Sequence, residues 1–342
     1  MKRFLPILFV VSVLSVQCFA KITISTVPVG NPGNAGELSG AAGSYGPERI
    51  CGAVGYTYNI AKYEVTAGQY CDFLNKVAAT DTYGLYNASM WSYSKGCKIQ
   101  RTGYSGGYSY SVAADWANRP ANLVTYWNAC RFANWLHNGQ PTGLQSALTT
   151  EDGVYTINGY NGYDGRTIQR KAGWKWAVTS EDEWYKAAYY KGGGTNAGYW
   201  DYPTRSDTAP SNVGADGYTD PGNHANYSNT GYTIGLPYYR TNVGEFESSA
   251  SAYGTFDQAG NVWEWNEAVV LEYVGNSYRG LRGGSYGSND SILRASYRNS
   301  LEPPSVDLYV GFRVVQAVPE PSSLMILAGG VGMILGIRRR RA

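Results

Sequence analysis

The sequence predicts a turn-rich, mostly irregular globule that combines short strands with a few helices. Three observations carry that prediction. Glycine supplies 43 of 342 residues and aromatics 14%, against only 16% charged residues, a balance that favours short strands and loops over long helices. Helix-capping signals occur at only a few places along the chain. No internal repeat of roughly 20 to 50 residues is evident, which sets aside propellers and solenoids. The length suits one large domain or two modest ones.

The first element is not part of that fold. Met1-Lys2-Arg3 precedes an apolar run from Phe4 to Val16 that ends near Cys18-Phe19-Ala20, the order of a secretory signal peptide, so residues 1–20 are expected to be removed. A lipidated Cys18 is the alternative, although Val16-Gln17 lacks the small residue such a site wants. Residues 21–49 then read as a strand (Ile22 to Val27) and a Gly/Pro-rich loop (Gly30 to Gly46), with a second strand from Ala53 to Ile60.

Thr66 with Gln69 forms a capping box, and Tyr70, Phe73, Leu74 and Val77 follow at helical spacing, which predicts the first main helix. Residues 79–117 are Tyr, Ser and Gly-rich and predict hairpins that offer little to a core. Thr125 caps a second helix with Ala129, Phe132, Ala133 and Leu136 on one face, stopped by Gly139 and Pro141. Residues 142–174 read as an inserted hairpin region. Ser180-Glu181-Asp182-Glu183 is another capping box opening a short helix. Residues 190–255 have few apolar runs and predict either a long ordered loop system or disorder, and a loop of that length usually has a functional or metal-based reason.

Cysteine and histidine limit the chemistry. Cys51, Cys71, Cys97 and Cys130 remain after signal removal. Export permits disulfides and four thiols allow three pairings, but the wide spacing is not that of a small stapled scaffold, and inert core thiols are an equal expectation. With only His137 and His224, haem, zinc and non-haem iron sites built on histidine are not expected. The formal charge of +2 falls to about −4 once Lys2, Arg3 and Arg338 to Arg341 are set aside with the terminal segments. A nucleic-acid partner is therefore excluded for want of a basic face.

Val318-Pro319-Glu320-Pro321 is followed by an apolar stretch, 322–337, and by Arg338-Arg339-Arg340-Arg341. Sixteen residues at about 1.5 Å each span about 24 Å, slightly short of a bilayer core. This tail, 318–342, resembles the PEP-CTERM sorting signal, which implies an exosortase-type processing protease as a partner. The protein would be held in the inner membrane before processing and released to the cell surface or extracellular matrix after it. An ordinary single-span anchor is the alternative.

Six fragments in order carry a second resemblance: Glu64-Val65-Thr66; Val124-Thr125-Tyr126-Trp127; Thr179-Ser180-Glu181-Asp182-Glu183-Trp184; Gly260-Asn261-Val262-Trp263-Glu264-Trp265; Arg282-Gly283-Gly284-Ser285; and Gly311-Phe312-Arg313. Residues 50–316 resemble the formylglycine-generating enzyme (sulfatase-modifying factor) domain. The resemblance implies an α+β fold, the family's variant of the C-type-lectin-like fold, with two main helices, a small antiparallel sheet and a large share of irregular loop partly held by structural calcium. It places the calcium ligands at Asp257, Gly260, Val262 and Glu264, two carboxylates and two carbonyls, a donor set suited to a hard cation. The alternative is that Glu264 is a paired acid and the tryptophans are core. A second calcium site would use Asn226 and Tyr227, but its acidic ligand falls near Gly235, where none exists.

The resemblance also implies a copper(I) centre on two cysteines, and these positions are Ser288 and Leu293. Neither can hold copper(I), a soft ion that wants thiolate, so copper is not expected. What survives is a rim that the resemblance places at the peptide-receiving face: Trp263, Ser285, Tyr286, Asn289, Asp290, Arg294, Tyr297, Arg298 and Tyr309. Such groups can bind glycan or peptide, while Arg294, Arg298 and Arg313 could equally tie loops to buried carboxylates. The sequence thus predicts a secreted, surface-sorted, non-catalytic relative that binds a glycan such as exopolysaccharide or a peptide, or serves the extracellular matrix. An active sulfatase-modifying-type oxidase or oxygenase with non-standard ligands is the alternative.

Overall fold

In a computed structural model, residues 21–40, 46–213 and 220–318 are described. The signal peptide and the apolar span 322–337 expected from the sequence lie outside the described residues. Among the described residues no helix is long and apolar enough to cross a membrane.

In chain order the elements are β1 (Thr26–Val29), β2 (Glu37–Ser39), β3 (Arg49–Cys51), β4 (Tyr58–Ala61), α1 (Ala67–Val77), α2 (Ser89–Ser92), β5 (Ile99–Thr102), β6 (Ser109–Val112), α3 (Tyr126–His137), β7 (Trp176–Val178) and α4 (Glu181–Tyr189). They continue with β8 (Trp263–Tyr273), β9 (Asn276–Arg282), a 3-10 turn (Asp290–Leu293), β10 (Asn299–Leu301), β11 (Val310–Phe312) and β12 (Val314–Ala317). The capping boxes form as expected: Thr66 accepts from Gln69 N and Ser180 from Glu183 N, each reciprocated by the Gln69 or Glu183 side chain. Thr125 accepts from Asn128 N and starts α3. Each cap satisfies donors that the first helical turn otherwise leaves open.

One four-stranded sheet runs β1-β4-β12-β7, with every pair antiparallel. A second runs β10-β9-β8-β11, and there β11 lies parallel to β8. The α+β class with small, mainly antiparallel sheets is as expected, and the parallel pair arises because the chain leaves β10, crosses over, and returns on the side of β8 away from β9. It then passes directly from β11 to β12 with only Arg313 between them, so one residue joins the two sheets.

α3 is buried from Tyr126 to Leu136, not along one face only. Phe132 packs edge-on against Phe73 of α1 (5.2 Å) and Phe312 of β11 (5.3 Å). Its polar residues are matched inside: Asn134 Nδ2 donates to the carbonyls of Thr150 and Tyr155, and Arg131 pairs with buried Glu151.

Three sequence expectations change. The first two strands begin later, at Thr26 and Tyr58. Residues 79–117 do contain the β5–β6 hairpin, but Leu85, Met90, Cys97, Ile99 and Tyr110 are buried in the main core. Residues 142–174 form no hairpin; they wrap turns around Glu151, whose carboxylate holds Arg131 and the Gly159 amide. The long 190–255 segment is ordered where described. Asp220 accepts from Ser248 N (2.7 Å), Tyr227 donates to the Pro210 carbonyl (2.6 Å), and Arg240 donates to the carbonyls of Lys95 (2.7 Å) and Gly96 (3.1 Å).

Candidate functional site

The loop before β8 is clipped to the 220s. Asn261 N donates to the Asn226 carbonyl at 2.8 Å, and Asn226 Nδ2 donates to Asn261 Oδ1 at 3.0 Å. Gly260 is required there: its φ is +80°, and a Cβ would lie 2.0 Å from the Asn226 oxygen. Asp257, also at positive φ, accepts from Gly244 N at 2.6 Å. Burial pushes its carboxyl up to about 6. Glu264 is fully buried and takes Arg313 on both oxygens, Nε to Oε2 and Nη2 to Oε1, each at 2.5 Å. Trp184 Nε1 adds a bond to Oε2 at 2.6 Å.

A third acid completes this region. Glu64 is 2% exposed, and neither of its carboxylate oxygens has a hydrogen-bond partner. Burial, then the charge of Asp257, drives its carboxyl well above the ordinary range against the pull of Arg313. Two buried acids, Glu64 and Glu264, and the half-buried Asp257 therefore face one guanidinium. No group of three or more His, Cys, Asp or Glu side chains converges on a point suited to a metal ion among the described residues. The expected calcium donors would make an oxygen-only set of two carboxylates and two carbonyls, of which both Glu264 oxygens are taken by Arg313.

Downstream, the Gly283-Gly284-Ser285 turn brings Ser288 and Leu293 to one place. A Cβ on Gly284 would meet Leu293 Cδ2 at 2.5 Å and Ser288 Cβ at 3.3 Å. Ser288 Oγ accepts from Ser285 N at 3.0 Å, closing the turn. Leu293 is fully buried with Tyr202, Ala225, Tyr227 and Ala259. One position supports the turn and the other fills a core.

The rim residues divide. Trp263 N donates to the Tyr309 carbonyl (2.7 Å), Trp263 and Tyr297 rings lie 6.0 Å apart, and Tyr286 and Tyr309 rings 4.9 Å apart, so these four are contiguous. Ser285 is buried beneath them, while Asn289 and Arg294 are exposed, Arg294 donating to Tyr202 Oη at 2.8 Å. Arg298 leaves the rim: it is 1% exposed and binds Glu181 at 2.8 Å and the Pro47 carbonyl at 3.0 Å. Of the three arginines with two readings, Arg298 and Arg313 tie loops to buried carboxylates and Arg294 does not. The sequence missed Lys95, Tyr232 and Tyr239, which extend the ring wall. The rings of Tyr239 and Tyr286 are 5.7 Å apart, and those of Tyr232 and Tyr239 5.0 Å. No local motif marks them, since Lys95 and the loop that carries Tyr232 and Tyr239 lie far apart in the chain.

A family model of the sulfatase-modifying factor enzyme 1-like domain matches residues 46–318. The chain belongs to that family. A second model, the PEP-CTERM protein-sorting motif, matches residues 317–341, which marks the protein for export and sorting to the envelope and implies processing by an exosortase-type system. Among curated proteins, a hercynine oxygenase of Mycobacterium tuberculosis is 34% identical over 87 residues, covering 21% of this chain and 20% of the relative. One of Mycolicibacterium smegmatis is 32% identical over 91 residues, 21% of each. The match thus spans about a fifth of these relatives. Two solved structures share the fold, each at 18% identity and TM-score 0.50: CarF, over 87% of this chain and 99% of that one, and Treponema denticola variable protein 1, over 87% and 98%. The fold is the C-type-lectin-like variant of the family.

This sulfatase-modifying-factor-type domain carries four thiols. Cys51, Cys71, Cys97 and Cys130 are all free and buried, and burial pushes Cys71 and Cys130 up to about 12. Burial raises Cys51 and Cys97 as well, so the four favour the protonated form, in which a thiol is a poor nucleophile. Arginine and carboxylate pairs tie distant segments instead. Glu181 binds Arg282 (2.6 Å), Arg298 (2.8 Å) and Arg49 (3.2 Å), joining α4, β9, the chain before β10 and β3. Glu183 and Glu267 hold Arg170 at 2.7 and 2.9 Å.

Proposed function

We propose that this chain is a non-catalytic, envelope-sorted member of its family that binds a glycan or peptide ligand at the rim beside the Gly-Gly-Ser turn. The observation that carries this reading is the occupancy of the two copper-ligand positions implied by the family resemblance. Ser288 and Leu293 are side by side, yet one hydroxyl closes a turn and one alkyl group fills a core, and neither gives the thiolate that copper(I) requires. Beside them the ring pairs Trp263–Tyr297 and Tyr286–Tyr309, in which Tyr297 and Tyr309 are half-buried and Trp263 and Tyr286 buried, and the exposed Asn289 and Arg294 offer two stacking faces, an amide and a cation. Calcium belongs to the same reading as a structural ion, held by Asp257, the carbonyls of Gly260 and Val262, and Glu264.

The test is a glycan and peptide array probed with the purified protein, repeated with Asn289→Ala/Arg294→Ala. Binding that the double variant weakens by at least about tenfold supports the reading, since removing an amide and a charged hydrogen-bond donor together acts on this scale. Binding unaffected by the double variant, or no binding at all, contradicts it.

A further inference from the structure

The ring wall that runs on from the rim holds a cation that belongs to the chain itself. Lys95 Nζ lies 4.5 Å from the ring centroid of Tyr239, 5.5 Å from Tyr232, 5.7 Å from Tyr286 and 5.8 Å from Tyr309. All four distances fall within the range at which a ring face attracts a cation. The rings touch in sequence, with centroids 5.0 Å apart for Tyr232 and Tyr239, 5.7 Å for Tyr239 and Tyr286, and 4.9 Å for Tyr286 and Tyr309. They form one connected set of rings around the ammonium, with Tyr286 fully buried at its base.

The occupant is poorly matched to this surface. Among the described residues no carboxylate lies within 4.0 Å of the Lys95 ammonium, and its three N–H donors make no hydrogen bond to the protein. A primary ammonium is strongly hydrated and loses bonds to water when it meets ring faces alone. A quaternary or methylated ammonium has few or no N–H groups and gives up less. Anchorage and mobility are also separated. The Lys95 carbonyl accepts from Asn122 Nδ2 (2.9 Å) and Arg240 Nη1 (2.7 Å), fixing the backbone. The flexible four-carbon side chain can withdraw without disturbing it. Tyr232 is 45% exposed, so the surface is open to solvent on that side.

We infer that Tyr232, Tyr239, Tyr286 and Tyr309 form a cation-binding box, filled at rest by Lys95, that accepts the methylated or quaternary ammonium group of an incoming soluble ligand in its place. This deepens the ligand-binding reading and rests on it, because Tyr286 and Tyr309 also belong to the rim. Lys95 acts as a built-in competitor that sets the affinity threshold.

Choline is the probe, and 3,3-dimethyl-1-butanol, its neutral counterpart of the same shape, is the control. Both are titrated by calorimetry into the purified wild type, Lys95→Ala, and Lys95→Ala/Tyr239→Leu, with circular dichroism confirming the fold of each. Choline is expected to bind Lys95→Ala at least about tenfold more tightly than wild type, with the neutral compound showing no such gain and Tyr239→Leu abolishing it. Lys95→Met, which keeps a long side chain in the box without its charge, is expected to bind choline no better than wild type. Equal choline affinity in wild type and Lys95→Ala, an equal gain for the neutral compound, or indifference to Tyr239→Leu overturns the inference. Array binding by the wild type together with any of those results removes the box and leaves the ligand-binding reading in place. A choline gain with a blank array keeps the box and removes the wider reading.

Discussion

Removing Arg313 should unbalance the whole acidic cluster. The side chain is fully buried at the junction of β11 and β12, bonds both Glu264 oxygens at 2.5 Å, and donates to the carbonyls of Phe256 (2.9 Å) and Ala61 (3.1 Å). In Arg313→Met, Glu264 keeps only the Trp184 indole N–H, while Glu64 and Asp257 lose the positive charge that opposes their burial. Breaking one buried ion pair costs about 3–5 kcal/mol. For a domain of this size each kcal/mol is worth roughly 2 °C, so the melting temperature should fall by about 6–10 °C. Thermal unfolding followed by circular dichroism measures this. Arg313→Met/Glu264→Met should recover at least about half of the loss, because the stranded charge is removed with its partner. A single variant that melts within about 1 °C of wild type, or a double variant as unstable as the single, refutes the reasoning.

Three further outcomes follow from the same geometry. Asp257→Ala should lower the melting temperature in millimolar calcium and have a smaller effect in chelator, because a ligand confined to the folded state stabilises by mass action; calcium-independent loss contradicts the calcium proposal. Against a burial that would raise it, Arg282, Arg298 and Arg49 hold the Glu181 carboxyl below its ordinary value of 4.5. The folded state therefore binds fewer protons than the unfolded one, and the stability this gives is present above about pH 4.5 and lost as the pH falls through the folded value. The destabilisation caused by Glu181→Gln, measured by thermal unfolding, should accordingly shrink on acidification below pH 4.5. A thiol reagent at pH 7.5 should label none of Cys51, Cys71, Cys97 or Cys130 rapidly in the native protein and all four after denaturation; a fast native thiol would contradict their buried, protonated state.

Local signals were the legible ones. Thr66 with Gln69 and Ser180 with Glu183 mark helix starts because each box closes within four residues, and both form as read. The order of the six fragments identified the family and, through it, the fold. What depends on distant pairing was hidden. Nothing near Val310 signals that β11 will run parallel to β8, and the same short apolar run conceals that Arg313 divides two strands in different sheets. Residues 142–174 resemble a hairpin by composition, but the partner that organises them, Arg131, lies on α3. Arg298 looked like a rim residue because its neighbours are, yet it meets Glu181, 117 residues away. The same holds for Lys95, whose four tyrosines come from three later segments of the chain.

If the fold persists without an oxidase centre, as proposed, copper chemistry is the decisive assay. The purified protein is incubated with copper(I), oxygen and a sulfatase-type cysteine peptide, with aldehyde formation and bound copper measured together. No aldehyde above a protein-free control and no stoichiometric copper are expected. Turnover with one copper held per chain would contradict the proposal.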